Sequence, residues 1–165
     1  MALPKRKPLR MQGYDYNTPD LYFITICTDK KQQLFWNENV GAVIGRPQDV
    51  PLNTNGKIVE TAIKNISKHY PYCEIEHYVV MPDHIHLMIQ IICDENGGRP
   101  LTAPTISTVI NQLKGSVTKQ LGFKVWQRSF YDHVIRSYAD YLKHYDYIEN
   151  NPVDWIMGKH TDTFN

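Results

Sequence analysis

Cysteine is scarce in this chain. Cys27, Cys73 and Cys93 are three in 165 residues and no two are spaced as C-x-x-C, which excludes a disulfide framework and a thiolate zinc knuckle. No hydrophobic signal segment precedes them, so the expectation is reduced thiols in a cytoplasmic protein. Long apolar runs are absent too, and nothing approaches the ~20 residues needed to span a bilayer. An excess of one charge is also missing: 18 Lys and Arg stand against 17 Asp and Glu, a net charge of +1. A polyanionic partner would therefore have to meet a local basic patch rather than a generally cationic surface. There is no internal repeat or low-complexity tract, which excludes a solenoid. The length suits one sizeable core, so residues 1–165 are expected to form a single domain.

What is present is organised around Glu74 to Ile92, EIEHYVVMPDHIHLMIQII. Val79, Val80 and Met81 end one β-rich run, Pro82-Asp83 makes a tight turn, and Ile85, Leu87, Ile89 and Ile91 then alternate with His84, His86, Met88 and Gln90. That pattern is a hairpin. Successive strand side chains point to opposite faces, so the aliphatics can enter a core while both imidazoles emerge side by side. Such a pair can be hydrogen-bonded sheet residues or half of a metal site, and His-x-His by itself names no reaction.

Taken in order, residues 1–12 form a basic arm carrying Lys5, Arg6, Lys7 and Arg10 without an acid. Tyr14 and Tyr16 lie in the turn-rich loop that follows, and Leu21 to Thr28 is a central strand. Residues 30–53 are broken by Gly41, Gly45, Pro47 and Pro51 into turn, brief helix and loop. A helix opens at the N-cap Thr54, carries Val59, Ala62, Ile63 and Ile66 on one stripe, and stops at Pro71. After the hairpin and the loop 94–104, a second helix runs from about Thr105 to Leu121, with Gly122 just past its end and Lys114 on its polar face. Strands are expected at 123–126 and 130–136. The last helix opens near Ser137 and ends near Asn150, limited by Pro152. Its core stripe is Tyr138, Tyr141, Leu142, Tyr145 and Ile148, which leaves Tyr147 on the polar arc with Asp140, Lys143 and His144. The tail 158–165 is expected to be loose. The order of elements suggests an α+β layer, helices on one face of a mainly antiparallel sheet.

The segments MPDHIHLMI, WQRSFYDHVIR and YIENNP, in this order and with QGYDYNTPDLYFITICT ahead of them, resemble the single-tyrosine HUH transposases and, within them, the REP-associated tyrosine transposases. The resemblance runs from about Gly13 to Val153. It implies a ferredoxin-like or RRM-like fold with a C-terminal catalytic helix. By the matching positions it also implies His84 and His86 as metal ligands, Tyr147 as nucleophile, and Asn151 as a third ligand; should Asn151 turn away before Pro152, His133 and Glu149 are the substitutes this sequence offers. The implied cofactor is a divalent ion, Mg or Mn. The implied activity is metal-dependent cleavage and strand transfer of single-stranded DNA through a 5'-phosphotyrosine, at hairpin-forming palindromic repeats. Lys114, Arg128, Arg136 and Arg10 are candidate phosphate contacts, and Tyr14, Tyr16 and Trp126 candidate stacking surfaces. Two alternatives stay open: a metal-dependent nuclease that uses water, and an inactive hairpin-DNA-binding module. Relatives of this kind act as monomers or as homodimers with exchanged helices, and both arrangements stay open as well.

Overall fold

A computed structural model of the chain describes residues 21–38, 50–92 and 104–159. Strands form where β-branched and aromatic residues concentrate: β1 (Leu21–Cys27), β2 (Cys73–Val80), β3 (His84–Ile91) and β4 (Tyr131–Ile135). They pair antiparallel in the order β2-β3-β1-β4. Helix α1 (Thr54–Lys64) and the single turn α2 (Ile66–His69) connect β1 to β2, α3 (Ile106–Leu121) connects β3 to β4, and α4 (Tyr138–Ile156) closes the order. Strand and helix succession together with this sheet order make the fold ferredoxin-like, an α+β arrangement.

The register divides the sheet into two chemically different faces. Phe23 lies opposite Met88 and His133, Thr25 opposite His86 and Tyr131, and Cys27 opposite His84, so these residues share one face. Tyr22, Ile24 and Ile26 take the other face with Ile89, Leu87 and Ile85. There α1 and α3 supply buried Val59, Ile63, Val109, Ile110 and Val117, and the result is one continuous core. Each such side chain removed from water stabilises the fold by roughly 1.5–3 kcal/mol. A bulge between Ile75 and His77 re-phases β2 and pairs His77 with Met88, which puts a further imidazole on the first face.

Asn53, not Thr54, caps α1, its Oδ1 accepting from the Gly56 amide at 2.9 Å. Gly56 is required by close approach, because a Cβ there would stand 2.3 Å from the Phe35 carbonyl oxygen. Thr105 caps α3 through the Thr108 amide, and Gly122 ends it at φ 77°.

Three expectations about the C-terminal third fail. Residues 123–126 form no strand; Trp126 contributes a single bridge to Thr28. Helix α4 does not stop at Asn150 but continues through Pro152 to Ile156. Proline forfeits the hydrogen bond to the Ile148 carbonyl, yet burial of Ile148, Asn151 and Pro152 holds the helix in register, and the Met157 amide again donates to Val153 at 2.9 Å. The buried face of α4 also differs from the anticipated stripe. Tyr138 is 75% and Leu142 39% exposed, while His144, Ile148, Asn151 and Pro152 are buried. The reason lies in the surface it meets: α4 packs on the sheet face carrying Phe23, His77, His86 and His133, so the arc that turns toward it mixes rings with polar groups, His144, Tyr147 and Asn151 beside Tyr145. The arm 1–12 with Arg10, the residues Tyr14, Tyr16 and Cys93, the loop 94–103 and the tail 160–165 lie outside the described residues.

Candidate active site

The turn ahead of the two histidines is fastened from two sides. The Pro82 carbonyl accepts from the Leu34 and Phe35 amides at 2.8 and 3.2 Å, and the Asp83 carbonyl accepts from the Thr28 amide at 2.9 Å and its hydroxyl at 3.0 Å. His84 and His86 leave this turn with ring centroids 4.6 Å apart. Nδ1 of His84 lies 2.5 Å from the Asp83 carboxylate. An ionised carboxylate only accepts, so this nitrogen carries the proton and Nε2 keeps the lone pair. Nδ1 of His86 is engaged 2.8 Å from the Thr25 hydroxyl. Both rings are thus oriented through Nδ1, and Nε2 is the ring nitrogen that would act as ligand.

Helix α4 roofs the histidines. The Tyr147 ring meets His86 edge-on at 5.1 Å, Phe23 stacks on the same imidazole at 5.2 Å, and Trp155 lies 6.1 Å from His84. Tyr147, Asn151 and Trp155 follow at intervals of four on a continuous helix, so Asn151 falls between the two rings that cover the histidines. Its side chain is 2% exposed, and neither Oδ1 nor Nδ2 has a hydrogen-bond partner among the described residues. A buried amide in that condition costs about 1–3 kcal/mol per unsatisfied group. Two imidazoles and one such amide oxygen are a donor set that fits a divalent cation. His84 and His86 are themselves only 2% exposed, covered by α4.

Two further contacts hold α4 down. His77 stacks on Tyr145 at 4.4 Å and reaches Glu149 at 2.8 Å; burial pushes the His77 pKa below its ordinary value despite the attraction of Glu149. Nearer the start of the helix, Nε2 of His133 lies 2.8 Å from Asp140, whose carboxylate is also 3.1 Å from Nδ1 of His144. Burial raises the Asp140 pKa, but the His133 hydrogen bond and charge, the Arg136 amide and His144 together leave it below the usual value.

The remaining candidates are scattered. Lys114 stands on α3, and its ammonium donates to the Gln127 and Arg128 carbonyls at 2.7 and 3.0 Å. It holds the loop before β4 rather than projecting as a phosphate contact. Arg128 and Arg136 are exposed at the two ends of β4. Trp126 is buried against Phe35 at 5.4 Å and offers no face for a base. Of the substitute ligands, Glu149 turns to His77 and His133 to Asp140. Sequence reasoning missed Thr25, Asp83, Phe23, Trp155 and the Asp140–His144 pair. Asp83 and the i, i+4 spacing of Asp140 and His144 were visible signals; Thr25 and Phe23 needed the strand register.

No family model matches the chain. It is 35% identical over 168 aligned residues to an uncharacterized protein of Haemophilus influenzae, covering 91% of this chain and 89% of that one. To the REP-associated tyrosine transposase of Escherichia coli it is 32% identical over 108 residues, covering 64% of this chain and 60% of the relative. Among solved structures it resembles a REP-associated tyrosine transposase bound to a REP hairpin, with a TM-score of 0.61 and 26% identity over 88% of this chain and 74% of that one.

Proposed function

Since this chain belongs to the REP-associated tyrosine transposases, we propose that it cleaves and rejoins single-stranded DNA beside hairpin-forming palindromic repeats. Tyr147 is the nucleophile, and His84, His86 and Asn151 hold a divalent cation. The observation that carries this reading is the Tyr147 ring against His86 with the unpartnered Asn151 amide one helical turn further on.

When bound, the cation supplies Lewis-acid polarisation of the scissile phosphate. Manganese suits both the imidazoles and the amide oxygen, where magnesium prefers oxygen alone. Asp83 and Thr25 fix the imidazole orientation, and the fastened turn 81–83 keeps both rings from swinging. Tyr147 attacks phosphorus through its phenolic oxygen: the Tyr147 O–P bond forms as the P–O3' bond breaks, and the phenol gives up its proton while the departing 3'-oxygen gains one. The linkage to Tyr147 conserves the phosphodiester, so a second 3'-OH can reverse the step and join strands without a nucleotide cofactor. Tyr147 lies over the histidine of its own chain, so attack in cis needs only a lift of α4. Arg128 and Arg136, exposed at the two ends of β4, would meet hairpin phosphates, with Arg10 as a further candidate from the sequence.

A labelled REP-type hairpin with single-stranded flanks, incubated with the full chain and manganese, tests this. His84→Ala and His86→Ala should abolish nicking while hairpin affinity stays within a few-fold of wild type. Metal-dependent hydrolysis that survives Tyr147→Phe would instead make the protein a water-using nuclease. Hairpin binding without any cleavage would make it a binding module.

A further inference from the structure

We propose that His133, Asp140 and His144 form a second divalent-cation site, separate from His84 and His86, which ties the start of α4 to β4. One ligand atom from each residue lies within 4.8 Å of the others. The carboxylate of Asp140 stands between the imidazoles, 2.8 Å from Nε2 of His133 and 3.1 Å from Nδ1 of His144, and the two rings stack at 4.7 Å. Donor atoms bound to a zinc-sized ion at ~2.0–2.2 Å lie about 3.3 Å apart in tetrahedral geometry, so a small outward movement of each group makes room. The elements supply the rest: Asp140 and His144 share one face of α4 at i, i+4, and His133 comes from the strand that face covers.

Binding here needs the lone pairs of Nε2 of His133 and Nδ1 of His144, which now face Asp140 at 2.8 Å; as the cation enters, a proton on either nitrogen moves to the other nitrogen of the same neutral ring. His133 and Asp140 are partly exposed, at 34% and 24% of their side-chain surface, whereas His144 is 2% exposed. An ion therefore has an entry side and room for a water ligand. Two imidazoles and one carboxylate select a borderline cation such as zinc or cobalt over magnesium. The ring of Phe23 separates this cluster from the first site, stacking on His86 at 5.2 Å and meeting His144 at 4.6 Å. The inference does not depend on the function proposed for Tyr147.

The test is a cobalt titration of the metal-free full chain, read by visible d–d absorption and checked by zinc displacement. With His84→Ala and His86→Ala both present, one equivalent should still bind. Adding His133→Gln, whose amide can still donate to Asp140, should weaken that binding by at least about tenfold. Zinc should raise the melting temperature of the double variant and lose this effect in the triple. If the double variant fails to fold by circular dichroism, the comparison is wild type against His133→Gln alone, two equivalents falling to one. No cobalt bound in the folded double variant, or an affinity unmoved by His133→Gln, would overturn the proposal.

Discussion

Asn151→Ala should stabilise the metal-free protein while removing its response to metal. Both amide atoms of Asn151 are buried without a partner among the described residues. Removing them relieves about 1–3 kcal/mol for each unsatisfied group. Alanine adds up to ~0.7 kcal/mol of helix propensity, and the small void left behind costs on the order of 0.5–1 kcal/mol. At the low end of that range the balance favours the variant by about 2 kcal/mol, which for a domain of this size is at least roughly 4–8 °C in melting temperature. The assay is thermal unfolding in chelator and again in millimolar manganese. The wild type should gain stability with manganese and narrow the gap, whereas Asn151→Ala should respond less and lose DNA cleavage. A variant that melts below wild type in chelator, or gains as much from manganese, would refute the view that this amide awaits a cation.

Other outcomes follow from the same geometry. Thr25→Val removes the hydroxyl beside Nδ1 of His86 and should raise the manganese concentration needed for half-maximal cleavage by about 10–100-fold, with hairpin affinity unchanged in a gel-shift assay. Gly56→Ala should destabilise by about 1–3 kcal/mol despite its helical position, because the added Cβ would meet a backbone oxygen at 2.3 Å; urea denaturation reads this directly. For pH, burial lowers the folded-state pKa of His77, so below about pH 6.5 the unfolded chain binds the extra proton. Stability contributed by this group is present above that pH and is lost as pH falls through it. The melting temperature should decline from pH 7.5 to 5.5 and decline less in His77→Gln; an equal or steeper decline in the variant would contradict this.

Much of the fold was legible because alternation and turn chemistry are local. The hairpin around Pro82-Asp83, the strand at Leu21, the α3 stripe with its Thr105 and Gly122 ends, and the cap at Ser137 all follow from neighbouring residues. The errors arose where tertiary contact overrides local preference. Pro152 stops helices in isolation but sits here in a turn clamped to the sheet. The tyrosines of α4 with Leu142 and Ile148 formed an amphipathic stripe that passed for a core face, but the face that receives the helix carries imidazoles and Phe23. Within the site, His84, His86, Tyr147 and Asn151 could be singled out from motifs. Their orienting partners could not, since Thr25 is 61 residues from His86 in sequence and meets it only through strand register.

The most direct measurement is mass-spectrometric mapping of the peptide that becomes joined to DNA when the full chain meets a REP-type hairpin substrate in manganese. Nucleotide mass should be found on the tyrosine at position 147 through a 5'-phosphate, and it should vanish with His84→Ala. Nucleotide on a different residue, or strand cleavage with no protein-bound DNA at any time, would contradict the account.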